Sequence, residues 1–543
     1  MHIRTTSQNF SSSKLKCWRH APLALLLFGL IPHAGAVTAV WDPGLSGAGS
    51  DGSGLWNTTT ANWSVAGSDV LWPNTFSDVA TFGSGGVAGT VTATSGIQTN
   101  GLIFNATSSG NYTIAGGSIT FGGVTPTITT NIDATLTATS NGSGITLTKA
   151  GAGKLTLNGA TTSLPQIDIT AGTLATSTTG AGAFGNSTTA LNFSANTTLQ
   201  TSGAITVANP ITLNGGTNAA VIGSATLSGP LTLNSGNSTF STTTAATISG
   251  NITGAGSLTK TGAQKLTLSG TNTYLGTTTI SNGSIQVGNG GTTGTLGSGA
   301  VVNGGVLSFN RSDSFIVPNN ISGVGSLTKA GGGTMRLSGA NTYTGTTTVS
   351  AGILEVTGSI ASGTASPLVV ASGAMLSGTG TITGPTAGTL TLLGGAQLSP
   401  GLLGAIGTLS ATSLNWTSDN VTAAMIFNLS NVDTTSDLVS LTGSFVRAAN
   451  AGSYIFDFEN SGVLGNTYTL FDYGSTTSTN TATLAAIDLP SFFTAKFTMT
   501  STRLSVTIVP EPSTALFGLL ALGASCRRRR IRLTSASHSV SSL

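Results

Sequence analysis

The chain is written in short alternating runs. Leu266-Thr267-Leu268, Thr278-Thr279-Ile280, Ile205-Thr206-Val207, Ile211-Thr212-Leu213 and Leu231-Thr232-Leu233 each set apolar residues on one side and a threonine on the other. A period of two over three residues predicts a strand with one buried and one exposed face. Gly262, Gly270, Gly276 and Gly283 punctuate these runs and supply turns. Strands so short bury too little surface singly. Stacked as coils of a solenoid, each covers its neighbour, and Leu, Ile and Val form one continuous interior column.

The runs belong to a longer repeat. Residues 251–287 contain Gly256-Ser257-Leu258-Thr259-Lys260-Thr261-Gly262, then Asn272-Thr273-Tyr274-Leu275-Gly276-Thr277-Thr278-Thr279-Ile280. Residues 320–356 contain Gly325-Ser326-Leu327-Thr328-Lys329-Ala330-Gly331, then Asn341-Thr342-Tyr343-Thr344-Gly345-Thr346-Thr347-Thr348-Val349, offset by 69 residues. A weaker copy starts at Ile145-Thr146-Leu147-Thr148-Lys149-Ala150-Gly151 and lacks the Asn-Thr-Tyr element. The motif resembles the autotransporter-associated β-strand repeat, or passenger-associated transport repeat. The resemblance implies a right-handed parallel β-helix on a secreted bacterial surface protein, here over 101–415. Coils of about 20–25 residues place about three coils between the two strong copies. Tyr274 and Tyr343 are expected to pack at equivalent corners. Lys260 and Lys329 are expected in solvated turns that blunt strand edges.

Aromatic residues mark both ends of the solenoid. Trp41, Trp56, Trp63 and Trp72 fall in the segment 37–100, among Asp42, Asp51, Asp69 and Asp78. They read as a Trp-rich N-terminal cap, with a sugar-stacking platform as the alternative. From Trp416 to residue 508 Phe and Tyr rise, and alternation in 454–458 and 468–473 predicts longer, antiparallel-type strands in a C-terminal β module. A translocating β-barrel is not legible after it, so self-transport is not expected.

The terminal segments read as addresses. Arg4, Lys14, Lys16 and Arg19 precede an apolar stretch, Ala21–Ile31, and the small-residue pair Ala34 and Ala36 around Gly35, which predicts a signal peptide over 1–36. At the other end Val509-Pro510-Glu511-Pro512-Ser513 is followed by an uncharged apolar run, 514–526, and then by Arg527, Arg528, Arg529 and Arg530. This predicts a short transmembrane helix with a positive cytoplasmic stop. Thirteen helical residues reach only about 20 Å, short of a ~30 Å hydrocarbon core, which suits temporary retention. The constellation over 509–530 resembles the PEP-CTERM sorting domain. That resemblance implies recognition and cleavage by an exosortase-type processing enzyme, then release to the cell surface or extracellular matrix of a Gram-negative bacterium. The tail 531–543 is longer than that family's usual few residues.

Composition removes most chemistry. Charged residues are 6% of the chain, against about 25% in ordinary soluble domains, and 76 of the 543 residues are Gly. Nine of the 19 basic residues lie in the terminal segments; residues 37–526 hold 10 basic and 16 acidic groups, a net charge of −6. Ten scattered basic residues form no stripe for nucleic acid, so none is expected as a partner. Both cysteines, Cys17 and Cys526, and all four histidines, His2, His20, His33 and His538, also lie in the terminal segments. A chain trimmed to about 37–510 has no thiolate, no imidazole base and no His or Cys metal ligand. No phosphate loop or nucleophile elbow occurs. The densest acids are Asp433, Asp437, Asp457 and Glu459, with Asp457 and Glu459 on one strand face; a solvated face is the plain reading and a weak Ca²⁺ site the sharper one.

The sequence therefore predicts a non-enzymatic, secreted, adhesin-like or structural protein with no cofactor and no metal. Its partners are expected to be the processing enzyme, the membrane transiently, and exopolysaccharide or other surface glycans. The alternatives are a β-helix polysaccharide-degrading enzyme, or a carbohydrate-binding surface protein that uses the Trp cluster.

Overall fold

The computed structural model describes residues 36–177, 184–361, 368–384, 389–417, 424–447, 454–476 and 484–511. Residues 1–35 of the expected signal peptide, Ala34 among them, lie outside the described residues. So do Pro512, Ser513, the expected transmembrane helix, Arg527–Arg530 and the tail. Among the described residues no helix is long and apolar enough to cross a membrane.

The described chain is a parallel β-solenoid of about 15 turns, built almost wholly of strands. Most coils lay a strand on each of three faces, and these strands pair in parallel with their counterparts one coil on; at 269–277 and 288–300 the third face has no strand. On the first face Leu155, Leu174, Leu199, Ala220, Phe240, Lys260 and Ile280 form one column. On the second, Val207, Leu227, Ile248, Leu268, Val287, Phe309 and Lys329 do so. On the third, Lys149 is followed by Ile169, Phe193, Leu213 and Leu233. The apolar members of these columns are buried, as the alternation dictates. Two 12-residue strands, Ile211–Ile222 and Leu231–Thr242, turn a corner without leaving the ladder. Their middle residues face outward while both ends alternate inward.

The three repeat copies do not share a face. Lys149 belongs to the third face, Lys260 to the first and Lys329 to the second. Leu327 instead shares a column with Ile285 and Leu266, the second strand of the preceding copy. The 69-residue offset is thus about three and a third coils, rather than the three expected. A motif transferable between faces shows that the three walls are nearly equivalent supports.

Glycine inside the motif is explained by stacking between coils. A Cβ on Gly276 would lie 2.3 Å from the Gly256 carbonyl oxygen, and one on Gly345 would lie 2.2 Å from that of Gly325. Neither glycine has a left-handed backbone, so close approach alone requires the missing side chain. Gly345→Ala is expected to cost about 1–3 kcal/mol by overpacking. A melting curve superimposable on that of the wild type would refute this.

Antiparallel strands close the two ends. Trp63–Val65 pairs antiparallel with Thr38–Trp41 and with Ser68–Val70. At the far end Arg503–Pro510 pairs antiparallel with Thr467–Asp472 and with Phe493–Met499. Between them the C-terminal strands depart from the antiparallel expectation. Tyr454–Ser461 runs parallel to Ala424–Leu429 on one side and to Leu484–Ile487 on the other. Thr467–Asp472 runs parallel to Leu438–Leu441. The longer alternation reflects wider coils with an aromatic interior. Trp416 meets Tyr454 at 4.6 Å between ring centroids, and Phe445 stacks on Phe471 at 4.8 Å.

Candidate functional site

The tryptophans offer no stacking platform. Trp41, Trp56, Trp63 and Trp72 are at most 2% exposed. They interlock at 4.7–5.1 Å between centroids and lead into Phe82, Phe104 and Tyr112 inside the first coils. Buried to this degree, none of the four indoles presents a ring face to a sugar, which overturns the sugar-stacking alternative. The neighbouring carboxylates are spent on the protein's own backbone. Asp51 accepts from the amides of Gly83, Ser84 and Gly86 and from the Tyr112 hydroxyl, at 2.5–3.0 Å. Asp42 accepts from the Ser46 and Gly49 amides, and Asp78 from those of Val37 and Thr75. Asp69 accepts from the Gly47 amide. Although burial opposes ionisation, these hydrogen bonds hold Asp42 and Asp51 below the usual carboxylate range.

The motif lysines correct a second expectation. Lys149, Lys260 and Lys329 are fully buried. Each side chain points into the coil, and its ammonium meets a ring of backbone carbonyls at the next corner. Lys149 Nζ donates to the oxygens of Ala150, Gly151, Gly153 and Ala171 at 2.7–3.0 Å. Lys260 Nζ donates to Thr261, Gly262 and Asn282. Lys329 Nζ donates to Gly331 and Ala351. Each cage spans two successive coils, so the lysine staples one coil to the next at three different edges of the rod. Burial pushes all three ammonium groups down to about 8, partly offset at Lys149 by the Asp133 carboxylate. The solvated-turn reading failed because Lys-Ala-Gly and Lys-Thr-Gly are also the grammar of an exposed turn. What decides is the strand phase, which puts the lysine on the inward side.

The tyrosines fulfil theirs. Tyr274 and Tyr343 are fully buried, and their hydroxyls meet those of Thr278 and Thr347, each at 2.6 Å. Burial raises both phenols above their ordinary range.

The acidic strand is not assembled into a centre. Asp457 and Glu459 lie on the outward side of Tyr454–Ser461. Burial raises Asp457, helped by the negative charge of Asp488 and by a hydrogen bond that the protonated Asp457 donates to it. Among the described residues no three His, Cys, Asp or Glu side chains converge on a metal-sized site. Asp437 is fully buried and joins two coils, accepting from the Gly407 and Asn428 amides at 2.7 Å each, while burial raises it to about 6. Other charges pair locally: Arg311 with Asp313, Arg336 with Glu355, Arg503 with Asp472, and Lys154 with Asp133.

The residues expected to carry the sorting motif begin where the described residues end. Ala36 is exposed at the first described position. Val509 and Pro510 finish the last strand opposite Thr494 and Phe493. The Glu511 amide donates to the Phe492 oxygen at 2.9 Å. Leu484–Pro490 and Phe493–Phe497 border an open groove of about 390 Å³ there, with Asp488 and Glu511 at its rim. What the rod presents along much of the rest of its length is wall: outward strand positions rich in threonine, serine and asparagine, with exposed apolar residues such as Val302 and Ile316 among them.

Comparison with known proteins agrees with the repeat. Residues 147–175, 258–287 and 327–356 match the passenger-associated transport repeat family. These are the three copies legible in the sequence. A stretch of 207 residues is 36% identical to the adhesin BmaC autotransporter of Brucella suis biovar 1 (strain 1330). That alignment covers 36% of this chain and 6% of the relative, so the chain spans a small part of the curated protein it matches. Among solved structures, the Haemophilus influenzae Hap adhesin aligns over 88% of this chain and 71% of its own, at 12% identity and a TM-score of 0.24. The architecture described above stands on the strand register of this chain alone.

Proposed function

We propose that this chain is an exported, surface-displayed adhesin-like rod without catalytic activity, delivered by its signal sequence and sorted through 509–530. One observation carries the reading. Passenger-type repeats are built into a long, nearly uncharged solenoid whose buried acids, lysines and aromatics are consumed by the fold, leaving a hydroxyl- and amide-rich wall as the working surface. The named adhesin relative supports the same direction. Many weak hydrogen bonds along such a wall suit surface glycans, through multivalency rather than a pocket.

The position of 509–530 supports the sorting part of this reading. Val509 and Pro510 are paired in the last strand, and the apolar run and arginines follow it in sequence. The chain thus passes directly from the folded rod into the segment that resembles a PEP-CTERM signal, where an exosortase-type enzyme would cut and release the rod from its transient membrane attachment. Mass spectrometry of protein shaved from intact cells is expected to show an N-terminus at residue 37 and a C-terminus near Pro510–Pro512. Recovery of peptides through Leu543 from the surface-exposed protein would refute the sorting proposal.

A further inference from the structure

We infer that the second face of the solenoid is the docking wall, and that it takes a neutral, extended polysaccharide lying along the rod axis. The inference rests on the adhesive reading above and names its surface and ligand class.

The outward positions of this face form a single-file ladder. It starts at Thr206, continues in register through Thr226, Thr247 and Thr267, of which Thr267 is buried, and ends at Asn415. Between Thr267 and Asn415 the rungs are Thr, Ser or Gln, except for Val369. Consecutive parallel strands lie about 4.8 Å apart, so the ladder runs for roughly 50 Å. No rung is charged. The spacing is close to the length of one sugar in an extended chain, so successive rings can meet successive rungs.

The hydroxyls are also unspent. Among the described residues, those of Thr226, Thr247, Ser308, Thr328 and Thr348 make no hydrogen bond within the protein. Each keeps one donor and two acceptor positions for a ligand. The other faces differ. On the first, the corresponding column is broken by Ala175 and Val221. On the third, Asp168 interrupts it with a charge and is tied to Gln166 and Asn192. A carboxylate in mid-column disfavours acidic glycans there, and the one cation beside the second-face ladder, Lys265, is tied to the Gln286 side chain at 3.3 Å. With the tryptophans buried, no indole concentrates the affinity. It is spread over many weak rungs and must grow with polymer length.

The test uses the chain spanning 36–511 and microcrystalline cellulose as an insoluble neutral glucan. One variant carries Thr226→Val, Thr247→Val, Thr328→Val and Thr348→Val. A control carries Thr148→Val, Thr212→Val, Thr232→Val and Thr253→Val on the third face. Valine keeps the β-branched shape and removes only the hydroxyl, and matching melting curves show that both variants fold. The second-face variant is expected to lose at least tenfold in retained protein, and the control to match the wild type. Short cello-oligosaccharides are expected to compete at least a hundredfold more weakly, per sugar, than soluble polymer. Equal loss in both variants, or loss in neither while the wild type binds, overturns the face assignment and leaves the adhesive reading standing. Retention on alginate but not cellulose overturns the neutral-ligand assignment alone. No retention on either overturns the docking inference and the glycan-adhesion reading together.

Discussion

Trp63→Ala is expected to destabilise the N-terminal coils by about 3–5 kcal/mol, the usual cost of deleting a large aromatic from a packed core. Trp63 is the centre of the aromatic cluster, in contact with Trp41, Trp56, Trp72 and Phe82. It also sits in the strand that covers the open edge of Thr38–Trp41. Its removal leaves a cavity and loosens the strand that closes the ladder. A solenoid is held by contacts between neighbouring coils, so the damage is expected to stay local. Limited proteolysis should therefore cut first within residues 36–120 and leave the region around 250–360 protected. Since the ring is buried, cellulose retention should be unchanged wherever the remaining coils stay folded. Uniform unfolding of the whole rod would show that the coils are more strongly coupled than a nearest-neighbour stack allows. Selective loss of glycan binding with an intact cap would return the tryptophans to the role of a sugar platform.

Much of this architecture was legible in the sequence, for a physical reason. An alternating three-residue run with a glycine on either side has few folded uses, and its recurrence in Leu266-Thr267-Leu268 and Met335-Arg336-Leu337 marks stacked coils. The repeat also located Tyr274 and Tyr343 in one local role. Facts that depend on the register between coils were hidden. Successive rungs of the hydroxyl ladder fall 19 to 24 residues apart, because the corners differ in length. No fixed sequence period reveals that Thr226 and Thr247 are neighbours. The same drift hides the one-face step between repeat copies. The inward lysines were hidden differently. A lysine beside a glycine reads as exposed unless the strand phase is followed residue by residue from Leu258 or Leu327, two positions earlier on the same buried side. The C-terminal strands misled because length and aromatic content suggest antiparallel pairing, whereas the coils had simply widened around Phe456 and Phe471.

The caged lysines give the rod an unusual pH response. Their ammonium groups are held at about 8 in the folded chain, against an ordinary value of 10.5. Between those values the unfolded chain binds more protons than the folded one, so stability must rise with pH. Below about pH 8 both states carry the proton and the slope vanishes. Each lysine contributes up to about 1.4 kcal/mol per pH unit inside the window, less near its edges. A neutral amine still has two N–H groups for the carbonyl ring, so losing the proton removes the cost of a buried charge without emptying the cage. Above pH 10 the buried tyrosines begin to oppose the trend, because their phenols are raised and ionise first in the unfolded chain. The wild-type unfolding midpoint is therefore expected to climb from pH 8 to pH 10 and then turn over. Lys149→Met, Lys260→Met and Lys329→Met combined should flatten the climb, since methionine neither titrates nor donates. The triple variant should also be less stable at pH 10 than the wild type by several kcal/mol, because carbonyls in three corners lose their donor and each orphaned group costs about 1–3 kcal/mol. A wild-type midpoint that is flat or falls across pH 8–10 would show that the ammonium groups are solvated, and the corner cages would have to be abandoned.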